Sequence, residues 1–290
     1  IMNTNPVTAY DDCSNDSIFN LMKKNNILAV PIIDKDNFFL RLSHISEITK
    51  NKNDINKYNI STAVIMAGGL GMRLRPITKN IPKPMVDIGG MPLLERQIKR
   101  LSNFGINKIY IAVNYLSEVI ENHFKNGSDY NVEIHYIKEK ESLGTGGALS
   151  LIPSRPDLPF IVMNGDILTN SNFQSLTEFH YRQQNDITVA GFSYNIDIPF
   201  GVIENRGPII KGLKEKPSQN FLCNAGIYIL SPAALDAIPK NKFYNMTDLV
   251  NDYLLENKLV SIFPIHEYWS DIGTSNDLDN ARKIYEKSEL

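Results

Sequence analysis

From residue 61 onward the chain alternates short β-branched apolar runs with stretches of helical periodicity, and no other feature limits its fold as strongly. Strand-like runs fall at 62–67, 108–113, 132–137 and 159–163, and helical patterns at 92–104, 117–125 and 145–152. Strands that must cross over through a helix before the next one pairs are parallel to their neighbours. The expected architecture is therefore α/β, a doubly wound, mostly parallel Rossmann-like sheet, with ligands bound beyond the carboxyl ends of its strands. The second half is richer in β patterns, at 187–193, 200–204, 208–213 and 221–230, and is expected to form a β-rich lobe of its own.

Directly after the first run comes M-A-G-G-L-G-M-R-L-R-P-I-T-K-N-I-P-K-P, residues 66–84. Ala67, Gly68, Gly69 and Gly71 would let backbone N–H groups approach phosphate oxygens, and Arg73, Arg75, Lys79 and Lys83 bring cations that offset phosphate charge. This predicts a polyphosphate loop with Arg73 and Lys83 facing solvent. A short G-G-x-G taken alone is as readily an ordinary turn, and the string is neither G-x-x-x-x-G-K-[ST] nor G-x-G-x-x-G. Asp166 follows the fourth apolar run through N-G-D, so it lies at that strand's carboxyl end, and Asp271 sits in Y-W-S-D-I-G-T beside the only Trp, Trp269.

Composition narrows the functional classes. The formal net charge of -2 leaves no global basic field of the kind a nucleic-acid binder carries, so any attraction for phosphate is local. Two cysteines, Cys13 and Cys223, are too few for a disulfide framework and lack metal-ligand spacing, which fits a reduced, cytoplasmic setting. No apolar run reaches the length of a membrane span, and I-M-N-T-N-P at the start carries no signal pattern. The chain opens on Ile1, as a piece of a longer protein would.

The 66–84 string closely resembles the signature G-G-x-G-x-R-L-x-P-x-T…K-P of the sugar-1-phosphate nucleotidylyltransferases. The resemblance recurs in order as L-G-T-G-G-A-L at 143–149, N-G-D at 164–166, K-E-K-P at 214–217, N-A-G-I-Y at 224–228 and W-S-D-I-G-T at 269–274, covering about residues 61–290. It implies attack by a sugar 1-phosphate on the α-phosphorus of a nucleoside triphosphate, with pyrophosphate leaving. Such transfer needs charge neutralisation and positioning rather than a covalent nucleophile. By the same resemblance Arg73 and Lys83 hold the triphosphate, and Asp166 and Asp271 bind Mg2+, which is content with one or two carboxylates plus phosphate oxygens. Lys216 is implied to hold the sugar phosphate, with Glu215, Gly201 and Asn224 around the sugar. Unaided, K-E-K-P would read as a charged turn, N-G-D as a turn, and Asp271 as a helix N-cap.

In relatives that use uridine or thymidine triphosphate, a Gln five positions before the Gly of the L-G-T segment reads the base. Here that Gly is Gly144, and five back stands Glu139. An ionised carboxylate only accepts hydrogen bonds, which suits the adjacent N1–H and N2–H2 of guanine and not the mixed edge of uracil or thymine. Glu139 therefore points to GTP, with Glu141 as the competing register and UTP, dTTP or CTP as the competing substrates. A non-catalytic regulatory subunit of the same fold is the alternative from another class, although the cations and acids such relatives lose are all present here.

Upstream of residue 61 the reading is an α+β unit at 1–49 and a polar linker at 50–60, with 61–290 as the catalytic domain. A helical pattern at 16–25, a strand-like run at 27–33, a D-K-D-N turn, a strand at 38–42 and a short helix at 44–49 resemble one CBS repeat, through Val30-Pro31-Ile32-Ile33-Asp34. The hydroxyl-then-Asp pair that holds a ribose in that family is His44 and Glu47 here. Either a first repeat lies upstream, or two chains pair theirs, and a purely structural role competes with a nucleotide regulator as partner. A CBS-like region ahead of such a domain resembles the glucosamine-1-phosphate guanylyltransferases of legionaminic acid pathways. The expected partners are thus GTP or another nucleoside triphosphate, a sugar 1-phosphate and a second copy of the chain, with no nucleic acid and no membrane.

Overall fold

The computed structural model describes residues 6–25, 27, 29–45 and 58–287. At the N-terminal end, β1 (Ala9–Tyr10), α1 (Asn15–Asn25), β2 (Ala29–Ile33) and β3 (Phe39–His44) form a three-stranded sheet with one helix, in the order β1-β2-β3. The helix and both longer strands fall where the sequence places them. His44 ends β3, and residues 46–49 of the helix expected at 44–49 and most of the linker at 50–60 lie outside the described residues.

This small unit is packed onto the rest of the chain. Ile18, Phe19, Met22, Val30 and Ile32 belong to the same buried cluster as the main sheet. Arg182 reaches Asp16 at 3.7 Å, and the rings of His44 and His266 meet edge-on with centroids 3.9 Å apart.

The main sheet has seven strands: β4 (Thr62–Met66), β5 (Lys108–Val113), β6 (Glu133–Lys138), β7 (Phe160–Asn164), β9 (Ile187–Asp197), β12 (Ser218–Leu230) and β13 (Val260–Ile265), in the order β13-β9-β12-β7-β4-β5-β6. Strands β6, β5, β4 and β7 are parallel neighbours, as predicted from the helical crossovers. Between β4 and β7 the winding reverses direction, so the loops leaving both carboxyl ends open onto one crevice. Two-residue alternation sorts the side chains by face. Ala63, Ile65, Ile109, Ile111, Ile161 and Met163 pack against α2 (Leu93–Phe104), α3 (Ser117–Phe124) and α5 (Phe173–Gln183). Val64, Tyr110, Ala112, Phe160 and Val162 pack on the other face against α6 (Met246–Leu255). No described helix is long and apolar enough to cross a membrane.

Two expectations need correction. The run at 221–230 is split between the β-rich region and the central sheet: Ala225 to Leu230 are buried, and Ile227 to Leu230 lie in the central sheet, antiparallel to β7. A break in register between Asn224 and Tyr228 lets the earlier half of β12 run on with β9 beyond the sheet. That extension, with the hairpin β10 (Val202–Arg206) and β11 (Ile209–Lys214), makes the β-rich region. The helix expected at 145–152 is only one turn, α4 (Gly144–Gly147), followed by a 3-10 turn at Ala148–Leu151. Glycines are poor helix formers, and here they pack against backbone. A Cβ on Gly147 would lie 2.5 Å from the Lys242 carbonyl oxygen.

A buried polar network joins α5 to β9 and β13. His180 Nδ1 lies 2.9 Å from Thr188 Oγ1, Asn185 donates to the same hydroxyl, and Ser261 donates to Asn185. Burial pushes the His180 pKa down to about 4, partly opposed by Asp186. Because the unfolded chain takes up this proton near pH 6.5 and the folded one does not, stability rises with pH between about 4 and 6.5. Urea titrations should find about 2 kcal/mol less stability at pH 5 than at pH 7 from this group, and His180→Gln should remove that part of the slope.

Candidate active site

The loop after β4 is pinned at both ends of its glycine run. Ala67 N–H donates to the Ala112 carbonyl at 2.8 Å. Gly71 adopts φ +61, and a Cβ there would lie 3.1 Å from the Lys83 Cβ and 3.2 Å from that of Thr78. Thr78, fully buried, donates its hydroxyl to the Gly71 carbonyl at 2.7 Å. Leu74 is buried with Val86, Ile88, Leu168 and Ile272 in a small core under the loop. Gly69 has open space where a side chain would stand, which leaves the backbone accessible.

The two aspartates come together through a second short ladder. Strand β8 (Ile167–Thr169) pairs antiparallel with β14 (Trp269–Asp271), and Ile272 N–H donates to the Asp166 carbonyl at 2.9 Å. Lys83 Nζ sits between the carboxylates, 2.6 Å from Asp166 Oδ2 and 3.4 Å from Asp271 Oδ1. Lys83 is thus buried, at 9% exposure, which corrects the expectation of a solvent-facing lysine. Taking an ammonium out of water is costly, and here its attraction to the two carboxylates offsets that cost. Arg73 is the exposed cation: its guanidinium lies over Gly273 and 4.0 Å from Asp271. Burial raises the Asp271 pKa, the charge of Asp166 adds to this, and Lys83 and Arg73 oppose it.

The pair fits Mg2+. Asp166 Oδ1 is buried without a hydrogen-bond partner, so it has acceptor capacity that no protein group fills. No third His, Cys, Asp or Glu completes a cluster among the described residues. A protein cage is not what Mg2+ requires, since waters and phosphate oxygens supply its other ligands.

Glu139 lies on the other flank of the loop. A Cβ on Gly68 would approach Glu139 Oε1 to 2.9 Å, so the carboxylate occupies the space that this glycine leaves. Its Oε2 accepts the Leu143 N–H at 2.9 Å. Burial raises its pKa, opposed by that N–H. Glu141 is exposed.

Among the described residues, the other expected ones make no hydrogen bond or ion pair with Lys83, Asp166 or Asp271. Gly201 and Glu215 are neighbours, with a Cβ on Gly201 falling 3.0 Å from Glu215 Oε2. Lys216 stands exposed on the turn between β11 and β12 with φ +43, a left-handed conformation that costs a lysine about 1 kcal/mol. Asn224 has both polar ends engaged within the chain: its amide donates to Tyr228 Oη at 2.7 Å, and its oxygen accepts Gly226 N–H at 2.9 Å. Gly144, at φ +76, packs where a Cβ would lie 2.7 Å from the Tyr244 carbonyl oxygen, so its glycine requirement has a structural cause.

The family profile described as "Nucleotidyl transferase" matches residues 62–288. The chain belongs to the nucleotidyl transferase family. Among its relatives, the mannose-1-phosphate guanyltransferase of Debaryomyces hansenii is 33% identical over 231 residues, 77% of this chain and 64% of that protein. The chain thus spans less than two thirds of that relative's length. The crystal structure of HddC from Yersinia pseudotuberculosis is 29% identical with a TM-score of 0.60, covering 78% of this chain and all of that one. A structure of HddC complexed with GMP-PN is 28% identical at the same TM-score and the same coverage.

Two residues of this family member were not singled out from its sequence. Thr78 lies inside the signature, yet only its buried hydrogen bond to Gly71 reveals its role. Gln97 is a polar residue at a core position of α2, among Leu93, Leu94, Ile98 and Leu101, and that misfit with the apolar stripe is the signal that could have found it.

Arg73 and Lys83 should differ in thermal melts. Arg73→Ala should leave the melting temperature unchanged, because the guanidinium is largely in water. Lys83→Ala should cost ~1–3 kcal/mol at pH 7, since two adjacent carboxylates lose their counterion. The same loss at both positions would contradict the bridging role.

Proposed function

We propose that the protein transfers a nucleotidyl group from a nucleoside triphosphate, in our reading GTP, to a sugar 1-phosphate, releasing pyrophosphate. The observation that carries this reading is Lys83 held between Asp166 and Asp271 beside an open glycine loop. A sugar-phosphate oxygen forms the new bond to the α-phosphorus as the bond to the bridging oxygen breaks, and the electron pair leaves on pyrophosphate. Arg73 and Lys83 offset the charge that builds on the leaving group. The loop amides at Gly68, Gly69 and Gly71 orient the phosphates, and Lys216 and Glu215 hold the incoming sugar phosphate. Asp166 and Asp271 would hold Mg2+, which when bound supplies charge neutralisation on the phosphate oxygens.

Glu139 reads the base in this proposal. It stands half-buried beside Gly68, whereas Glu141 faces solvent, which favours the first of the two registers. Each carboxylate oxygen can accept more than one hydrogen bond, so Oε2 can serve guanine while it holds Leu143. The guanyltransferase name of the curated relative and the GMP-PN complex of HddC support guanine over uracil, thymine or cytosine.

Incubation with GTP, UTP, dTTP, CTP or ATP and a panel of hexose and heptose 1-phosphates, following pyrophosphate release, tests the reaction. Asp166→Asn should lower turnover at least ~100-fold at saturating Mg2+, the scale for removing one group that stabilises transition-state charge. Activity within a few-fold of wild type would take Asp166 out of the site.

Glu139→Gln tests the base. The glutamine can still accept from Leu143, but its other end becomes a donor facing the guanine donors. The expected loss is ~1–3 kcal/mol, or about 5- to 150-fold in kcat/KM for GTP, with a gain for UTP. Equal wild-type efficiency with GTP and ITP, which lacks only the exocyclic amine, would overturn the guanine assignment and leave the transfer reaction standing.

A further inference from the structure

The turn that carries Asp166 is held from below by Gln97, which the reaction does not itself require. Gln97 is 5% exposed on α2, and its Nε2 donates to the carbonyl oxygens of Asn164 at 3.0 Å and Ile167 at 2.6 Å. Those two carbonyls bracket Gly165 and Asp166 in the chain. The turn is also tied by two backbone bonds, Gly165 N–H to the Met66 carbonyl at 2.8 Å and Ile272 N–H to the Asp166 carbonyl at 2.9 Å, and the aspartate itself by Lys83 at 2.6 Å. The turn lies close against β4, since a Cβ on Gly165 would lie 2.8 Å from the Met66 oxygen.

Packing stability alone does not account for a glutamine here. Its Oε1 is buried without a hydrogen-bond partner, a cost that a leucine or methionine on this helix face would avoid. What the amide offers, and an apolar side chain cannot, is two N–H donors fanned towards two carbonyls on either side of one aspartate. Without them both carbonyls would seek new donors, and the peptides next to Asp166 would rotate. A rotation there moves the carboxylate relative to Lys83, and a displacement on the order of 1 Å costs up to about a hundredfold in rate at such sites.

We propose that Gln97 is a positioning residue that fixes the Asp166 carboxylate for metal and nucleotide binding; this rests on the nucleotidyl-transfer reading given above. It acts through the turn and touches neither substrate nor metal.

Gln97→Met, similar in length and without donors, is the main test, and Gln97→Glu, similar in shape and acceptor-only when ionised, is the second. Three readouts apply: a crystal structure of the variant, Mn2+ binding in the presence of GTP followed by electron paramagnetic resonance, and steady-state kinetics. For Gln97→Met the expected results are an Asp166 carboxylate displaced by about 1 Å or more and Mn2+ binding weakened about tenfold. The kcat should fall about 10- to 100-fold, while KM for the sugar 1-phosphate changes less than about threefold. Gln97→Glu should weaken Mn2+ binding in the same direction.

A folded Gln97→Met protein with Asp166 in its wild-type position and unchanged Mn2+ affinity would overturn the proposal. So would failure of both variants to fold, which would make Gln97 a residue of stability alone. The position of Asp166 and the Mn2+ titration are read without turnover. If wild-type protein releases no pyrophosphate from any nucleoside triphosphate, the functional reading falls while the role of Gln97 in the turn is still decided.

Discussion

Lys83 carries a single positive charge into a place where the fold brings two negative ones together, and much of the site is arranged around that contact. The β8–β14 ladder and the Ile272 N–H bond to the Asp166 carbonyl hold Asp271, on β14, beside Asp166, in the turn before β8, so their mutual repulsion is built in. The ammonium, 2.6 Å and 3.4 Å from the two carboxylates, offsets it. Lys83 can reach that point because Gly71 turns the loop in a left-handed conformation and Thr78 ties it down. The residues that resemble a phosphate loop thus form one wall of a carboxylate site as well. A cation and two acids in one crevice are what a reaction between two phosphates requires: something to hold a metal, and something to neutralise the group that leaves.

The sheet decides where that crevice lies. Strands β4 and β7 are neighbours, but the chain leaves β4 towards β5 and β6 before returning to β7 on the other side. Loops diverge at such a point and leave a gap at the carboxyl ends of the strands. The insertion of β12 antiparallel to β7 then carries one chain segment from the central sheet outward to the turn bearing Glu215 and Lys216. One long strand therefore connects the two sets of residues through its register break at Asn224.

The glycines show why one residue type in similar strings does different work. Gly69 faces open space and leaves backbone available, whereas Gly144, Gly146 and Gly147 press against the backbone of residues 242–246. The N–H groups of Gly146 and Gly147 both donate to the Tyr244 carbonyl, at 2.9 and 2.8 Å. The L-G-T-G-G-A segment is thus a docking surface for the start of α6, and through Leu143 it also fixes the Glu139 carboxylate.

Periodicity in the sequence was sufficient for the parallel half of the sheet, because two-residue and 3.6-residue repeats record which faces are buried. The strands at 62–66, 108–113 and 160–164 and the helices at 93–104 and 117–124 lie within a residue of their expected bounds. Arg73, Lys83, Asp166 and Asp271 were singled out because they stand in motifs that resemble the family signature, and the fold brings them together. What local pattern could not convey was distance between separated segments. The burial of Lys83, the place of β12 in the central sheet and the two bonds from Gln97 each depend on segments far apart in the chain. Periodicity reports whether a side chain is buried; which partner meets it there is decided only when the sheet closes.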